Sequence, residues 1–475
     1  MAFMADGFAR ATGRPGVVLV TPGPGLGNAV SPCMEAYADD VPLVIIFVDV
    51  ERKDVRKGIL HGVKTPEAIF ANICKATFLV LDEKDLAGKL ETAYRTAVSG
   101  RPGPVVLSIP FRILEKESTP LPSAGHVEEE PAFDPGPLEE AMRGTERPVI
   151  IGGKGLVGKD VGDELDALCG ASAIPFLATT SGKGVVSADR NYAFGNIIGK
   201  GVERQILQSA DRVIAMGTRL RDVDAKRRGV KMKSLVHIDV DGRWLGKNYR
   251  PDLAMEGDMG QAVRALRSAM GGRRSTWDME GLKKAREAEL TRLERGHEGF
   301  RIVMLLRRVI PRDTVTVWDL NMCGYWAEYY FPVFEERTFL FPRGISPIFY
   351  GFPAALGAKL GREGRPCLCV TGDGSFLPTA GELATIAAYA IPVVVLIYNN
   401  GSFGLLEDFM KKRYGAGGTM SLTNPDFPDL ARSFGIKAGR AGSLEDLEHI
   451  FLHRITWDEP YVIEFRYPLF PPPWE

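Results

Sequence analysis

An aspartate that ends one apolar run and an asparagine that ends the next can jointly hold a divalent cation, and this chain has such a pair in Asp373 and Asn400. The run Cys367 to Thr371 leads into Gly372-Asp373-Gly374-Ser375; after a helical stretch, the run Val393 to Tyr398 leads into Asn399-Asn400. Two parallel strands joined by one crossover would bring both side chains to their carboxyl ends, where such sheets bind ligands. A carboxylate, an amide oxygen and a nearby backbone carbonyl are hard donors that suit Mg2+, an ion that usually keeps water or phosphate in its shell. A diphosphate ligand follows, with the N–H groups of Gly374 and Ser375 at a helix start pointing at the same anion. The competing reading is an Asp helix cap and an Asn-Asn turn, each common alone.

Two glycine-rich loops also invite a ligand. Gly153-Lys154-Gly155-Leu156-Val157-Gly158 follows the run Pro148 to Gly152 with G-x-G-x-x-G spacing, which makes a nicotinamide dehydrogenase one alternative. The acid that should grip a ribose about 20 residues later is missing from AIPFLATTSGKG, so a tight turn is the better reading. The second loop, TPGPGLGN from Thr21 to Asn28, suits either a close backbone approach to a ligand or a sharp strand-to-helix turn.

The elements that must carry these loops are short β-rich runs alternating with amphipathic segments, the pattern of α/β layers on parallel sheets. Strands are expected at Gly16 to Thr21, Val41 to Val48, Val105 to Ile109, Pro148 to Gly152, Arg212 to Ala215, Ser234 to Asp239, Thr314 to Trp318, Cys367 to Thr371, Val393 to Tyr398 and Tyr461 to Phe465. Helices are expected at Asn28 to Tyr37, Leu86 to Val98 and Gly381 to Tyr389. The Pro- and acid-rich stretch Glu115 to Pro148 marks a boundary, and the highly charged Gly271 to Gly299 reads as a surface helix leading into a last domain. A chain of 475 residues at roughly 150 per domain agrees with three Rossmann-like α/β domains, near 1–120, 135–272 and 295–475.

Composition narrows the partners. With 59 Lys+Arg against 60 Asp+Glu the net charge is −1, and no basic block offers a surface for nucleic acid or an anionic membrane. The longest apolar runs fall short of the roughly 18 residues a membrane span needs. Six Cys, with Cys367 and Cys369 two apart inside one apolar run, fit neither a disulfide framework nor a zinc site and point to a reducing cytoplasm. The first residues, MAFMADGFAR, lack the basic start and apolar core of a secretory signal.

The run GDGSFLPTAGELATIAAYAIPVVVLIYNN resembles the signature of thiamine diphosphate enzymes. FMADGFARATGRPGVVLVTPGPGLGNAV is similar to the pyrimidine-binding domain of the acetolactate synthase group, and VHIDVDGRWLGKN to its central domain. PIFYGFPAALGAKLG and LTNPDFPDLARSFGI resemble its diphosphate-binding domain. The resemblance implies the thiamine diphosphate-binding fold, with flavodoxin-like domains and the central domain between the pyrimidine and diphosphate domains. It makes Asp373, Asn400 and the backbone carbonyl of Ser402 the Mg2+ ligands, with Gly372, Gly374 and Ser375 around the diphosphate. Ile348 aligns with the apolar residue that bends the cofactor so that its aminopyrimidine nitrogen meets the thiazolium C2–H. The alternative for Ile348 is a place in the core.

The same resemblance puts Gly23 to Asn28 and Leu60-His61 in an active site lined across a subunit interface, implying a homodimer or homotetramer. His61 stands where the group often has Gln and would serve as proton donor or carboxylate contact, the alternative being a buried His bonded to backbone. The implied reaction is decarboxylation of pyruvate followed by carbon–carbon bond formation, as in branched-chain amino acid biosynthesis, with a simple 2-oxoacid decarboxylase as the close alternative. Some relatives hold FAD in the central domain, which Gly217-Thr218-Arg219 and His237 to Asp241 partly match, so FAD stays open.

The sequence also departs from the group. The family's activating Glu lies just before the segment matching Ala2 to Gly7, so Met1 is expected to be internal to a natural protein carrying some tens of further residues. A chain without that Glu would be slow or inactive, a binding subunit, and a first domain lacking its first βα unit would expose apolar faces and a sheet edge. Asp319-Leu320-Asn321-Met322-Cys323 replaces a segment that usually supplies Gln-His contacts, and Phe409 stands where a Trp commonly selects larger acceptors.

Overall fold

The computed structural model describes residues 1–51, 53–117, 130–415, 418 and 420–474, so part of the stretch 115–148 lies outside the described residues. Two compact units form, Met1–Glu129 with Pro342–Gly364, and Glu130–Phe341 with Arg365–Glu475.

In the first unit, β1 (Gly16–Val20), β2 (Leu43–Asp49), β3 (Ala76–Leu79) and β4 (Val105–Pro110) pair in parallel in the order β1-β2-β4-β3. The inner strands β2 and β4 are nearly continuous apolar runs, as burial on both faces demands. At the edge, β1 buries Val18 but leaves Val17 63% and Leu19 62% exposed, so an apolar sheet edge is present there. The expected helix from Asn28 to Tyr37 is two helices, Pro24–Asn28 and Val30–Ala38, with Ala29 between them. Pro24 starts the first of these at its N-terminus, a turn earlier than the apolar spacing suggests.

Helices Ala2–Thr12 and Gly351–Gly361 pack with their backbones nearly touching. A Cβ on Gly7 would lie 1.9 Å from the Ala354 carbonyl oxygen, and one on Gly357 would lie 1.7 Å from that of Met4. Ala5 and Ala9 on the first helix and Ala354 and Ala358 on the second are all buried. Gly357→Ala is therefore expected to cost about 1–3 kcal/mol or more, because the obstacle is backbone that no rotamer change can move aside. Thermal unfolding reads this, and an unchanged Tm would refute the close crossing.

The second unit holds two sheets. One contains β5 (Pro148–Gly152), β6 (Phe176–Ala178), β7 (Ala193–Asn196), β8 (Arg212–Met216), β9 (Leu235–Asp239) and β10 (Leu253–Glu256), in the order β10-β9-β8-β5-β6-β7. The other contains β11 (Val315–Trp318), β12 (Phe339–Leu340), β13 (Cys367–Gly372), β14 (Val394–Asn399), β15 (Lys437–Ala441) and β16 (Tyr461–Arg466), in the order β12-β11-β13-β14-β16-β15. Every pairing is parallel, so the expected α/β class with three parallel sheets holds. The strands missed in the sequence, β3, β6, β7, β10, β12 and β15, are short, and all but β6 lie at sheet edges. The charged stretch folds as the helix Met279–Gly296, which buries only Leu282 and Leu293.

A polar seam joins these two sheets. Lys183 Nζ donates to the carbonyls of Ala327 at 2.8 Å and Phe331 at 3.3 Å, neutralising the carboxyl end of the helix Met322–Tyr330. Asn196 Nδ2 donates to the Glu328 carbonyl at 2.8 Å, and Thr180 Oγ1 to the Glu328 carboxylate at 3.0 Å. Burial pushes the Lys183 ammonium down to about 7 against the pull of Glu328 and Glu203. Among the described residues no helix is long and apolar enough to cross a membrane, and the six cysteines are free and buried.

Candidate functional site

Strands β13 and β14 are neighbours whose register sets Gly372 opposite Tyr398, so one further step along each sets Asp373 beside Asn399. Asp373 opens the short helix Asp373–Phe376, with Gly372 as the cap residue, so its carboxylate is not spent on capping. That carboxylate, 3% exposed, accepts the Gly401 N–H at 2.9 Å and Asn424 Nδ2 at 2.8 Å. The two predicted strand ends are thus brought together. Asn400 is half-buried on the same turn, and its Nδ2 donates to Ser402 Oγ at 3.0 Å. Gly401 sits at φ 71°, a left-handed conformation that lets the chain double back after β14.

The helix after Asp373 is shorter than expected. Four residues pass into a 3-10 stretch, Leu377–Glu382, where Pro378 cannot donate to a regular helix, and the next α-helix starts at Leu383 rather than Gly381. The Ser375 hydroxyl donates at 2.6 Å to Asp319, which follows β11 and also accepts Thr371 Oγ1 at 3.2 Å. Asp319 and Asp373 thereby flank the gap between β11 and β13, the point where the strand order reverses and open parallel sheets bind ligands.

Three residues of this cluster have no role assigned from sequence, although Asp319 opens the segment that departs from the group. Asp319 repeats the pattern of Asp373, an acid directly after a buried strand, and that signal could have found it. Asn424 bridges Asp373 and the Asn399 carbonyl oxygen of its side chain, with the latter contact at 3.1 Å. Glu464, wholly buried on β16, accepts from Asn399 Nδ2 at 2.7 Å and from Arg440 and Arg466. No local pattern marks either of these two.

Burial pushes the Asp373 carboxyl above its usual range, opposed by the hydrogen bonds it accepts. A cation arriving there would restore the charge that burial penalises. Among the described residues no cluster of three His, Cys, Asp or Glu side chains could hold a metal alone. One carboxylate with an amide and a carbonyl is a donor set that suits Mg2+ only when ligand oxygens complete the shell, as a diphosphate would.

The residues predicted in the first unit are placed as follows. Gly23 has φ 63°, and a Cβ there would stand 3.1 Å from the His61 carbonyl oxygen, so the Gly23 loop and His61 are neighbours. Asn28 and His61 are exposed, His61 with φ 65°, which rules out the buried, backbone-bonded histidine of the alternative reading. Ile348 is 42% exposed rather than core. It lies on the loop 342–350 between Ser346 and Phe349, both at positive φ, 55° and 75°.

The G-x-G-x-x-G loop behaves as a tight turn. A Cβ on Gly153 would lie 2.3 Å from the Gly217 carbonyl oxygen, and one on Gly155 would lie 2.7 Å from Gly217 Cα. A 3-10 turn, Lys154–Leu156, follows, and the next α-helix starts only at Gly162, so the loop does not lead directly into the α-helix N-terminus that the dinucleotide motif uses. At the end of β9, His237 Nε2 pairs with the Thr218 carbonyl at 2.7 Å, Asp241 clamps Arg243, and the Arg219 guanidinium stacks over Trp244 at 5.1 Å. The polar groups in the region of the partial FAD match therefore pair with one another.

Three family descriptions match the chain: thiamine pyrophosphate enzyme N-terminal TPP binding domain over residues 1–68, central domain over 138–266, and C-terminal TPP binding domain over 319–465. A relative from Pseudomonas aeruginosa named probable 2-ketoarginine decarboxylase AruI is 32% identical over 465 residues, spanning 94% of this chain and 82% of its own length. The probable acetolactate synthase large subunit of Methanocaldococcus jannaschii is 29% identical over 495 residues, spanning 98% of this chain and 83% of the relative. The acetolactate synthase large subunit of Lactococcus lactis is 29% identical, spanning 97% and 83%.

Proposed function

Because the chain belongs to the thiamine pyrophosphate enzyme family, in the acetolactate synthase and decarboxylase group, we propose that it binds Mg2+ with thiamine diphosphate and joins two 2-oxoacids. The observation that carries this reading is the buried Asp373 carboxylate, bonded to the turn that bears Asn400 at the reversal point of a parallel sheet. Asp373, Asn400 and the Ser402 carbonyl would hold the metal. When bound, the cofactor supplies an electron sink for the carbon freed by decarboxylation.

The chain's own groups would do the rest. Asp319 holds the Ser375 hydroxyl and Asn424 holds Asp373, so the turn is arranged before ligand arrives and less order has to be imposed on binding. His61, exposed beside the Gly23 loop, would serve a substrate carboxylate or supply a proton. Ile348 would give the apolar support that fixes the cofactor's ring geometry.

A simple decarboxylase is the second reading, favoured by the 32% identical relative named a decarboxylase and by Phe409 in place of Trp. Phe409 is 55% exposed on the helix Gly404–Tyr414, which begins two residues after Ser402. Pyruvate supplied with Mg2+ and thiamine diphosphate separates the two. Acetolactate is the expected product, and free acetaldehyde as the main product would overturn carboligation in favour of the decarboxylase.

A further inference from the structure

The loop 342–350 is gripped by buried carboxylates of its own unit. Glu35, on the helix Val30–Ala38, accepts the backbone N–H groups of Gly344 at 3.0 Å, Ile345 at 2.8 Å and Ser346 at 3.2 Å. Asp39 on the same helix end accepts the Arg343 N–H at 3.0 Å, and at the loop's far end the Tyr350 hydroxyl donates to Asp6 at 2.9 Å. Both oxygens of Glu35 are used, and the residue is 0% exposed. Gly344 is needed for this approach, because a Cβ there would lie 2.6 Å from the Glu35 carbonyl oxygen and 2.8 Å from its carboxylate.

We propose that Glu35 is a positioning residue for Ile348: by taking three consecutive backbone N–H groups it fixes the loop that presents the side chain assigned to the underside of thiamine diphosphate. This rests on the cofactor reading above. The left-handed Ser346 and Phe349 on either side of Ile348 support it. Such backbone is costly for residues with side chains and persists only where surrounding contacts over-determine it. Glu35 and Asp6 supply those contacts at the two ends, leaving Ile348 exposed at the crest between them. Glu35 also accepts from the Arg10 guanidinium at 3.1 Å, and a buried carboxylate that turns its remaining capacity to three backbone amides is an expensive way to close a loop whose shape does not matter.

Glu35→Gln tests the proposal on the full chain, since it keeps the volume but turns an amide nitrogen toward N–H donors. Hydrogen exchange of the peptide spanning 342–350 is expected to accelerate about tenfold to hundredfold. The near-ultraviolet circular dichroism of bound thiamine diphosphate is expected to change as it does in Ile348→Ala, and the double variant is expected to add little to either single one. Affinity for the cofactor with Mg2+ is expected to stay within about threefold. Unchanged exchange, or fast exchange with the native dichroism, overturns the role. If Glu35→Gln does not fold, Gly344→Ala attacks the same grip from the loop side and is read identically. If the unsubstituted chain binds no thiamine diphosphate in titration, the cofactor reading itself fails and the role of Glu35 falls with it.

Discussion

Asp373→Asn is expected to weaken binding of thiamine diphosphate with Mg2+ by at least about 10–100-fold, equivalent to about 1.4–2.7 kcal/mol, and further if the metal is lost outright. The carboxylate is the charged member of the proposed donor set, and an asparagine offers one neutral oxygen in its place. Stability without ligand should move the other way or not at all. A carboxyl that burial holds above its usual range costs folding free energy at any pH where the unfolded chain would ionise it, so the neutral amide removes a penalty. Calorimetric titration and thermal unfolding of the same variant check both halves. An unaltered affinity would sink the metal assignment, and a collapse in stability would mean that Asp373 is a structural acid.

Arg10→Met is expected to destabilise the first unit by about 3–5 kcal/mol. Arg10 donates to Asp6 at 2.6 Å, to Glu35 at 3.1 Å and to Asp39 at 2.8 Å, and its guanidinium lies 5.5 Å from the centre of the Tyr350 ring. Methionine fills similar space but leaves three buried carboxylates without their shared cation. Even with Arg10 present, burial and then the neighbouring Asp39 push Glu35 up to about 7. The folded state therefore binds a proton that the unfolded chain releases, so stability falls as pH rises from the usual carboxyl range through about 7. The Arg10→Met deficit should accordingly be greatest above pH 7 and shrink as the solution is acidified. Urea unfolding at a series of pH values measures it, and a deficit independent of pH would contradict the charge argument.

The parts of this protein that are readable in its sequence are those written in neighbouring residues. Strands β5, β13 and β14 are uninterrupted apolar runs, and the Gly-Asp-Gly and Asn-Asn segments sit directly at strand ends, where topology alone says a ligand site belongs. The family resemblance drawn from those runs is borne out by the three domain matches. Edge strands are harder to see. β15 reads KAGRA because an edge needs little apolar surface and tolerates Lys and Arg, so its period-two signal is lost. Long-range polar pairs are harder still. Nothing near Glu35 indicates that its carboxylate will meet amides some 300 positions away, and nothing in LTNPD indicates that Asn424 will reach Asp373. Conformation is likewise invisible at His61, whose side chain suggests chemistry while its left-handed backbone is set by the turn around it.

The bonds from Lys183, Asn196 and Thr180 to residues 327–331 bear on how such proteins can be recombined. A chimaera that swapped in the β5–β10 sheet of a distant relative, cut at the connecting segments, would confront the end of helix Met322–Tyr330 with foreign side chains. The heritable module is therefore larger than the sheet: it includes the helix that the sheet's lysine caps, and productive crossovers should fall beyond Phe331 rather than before Met322.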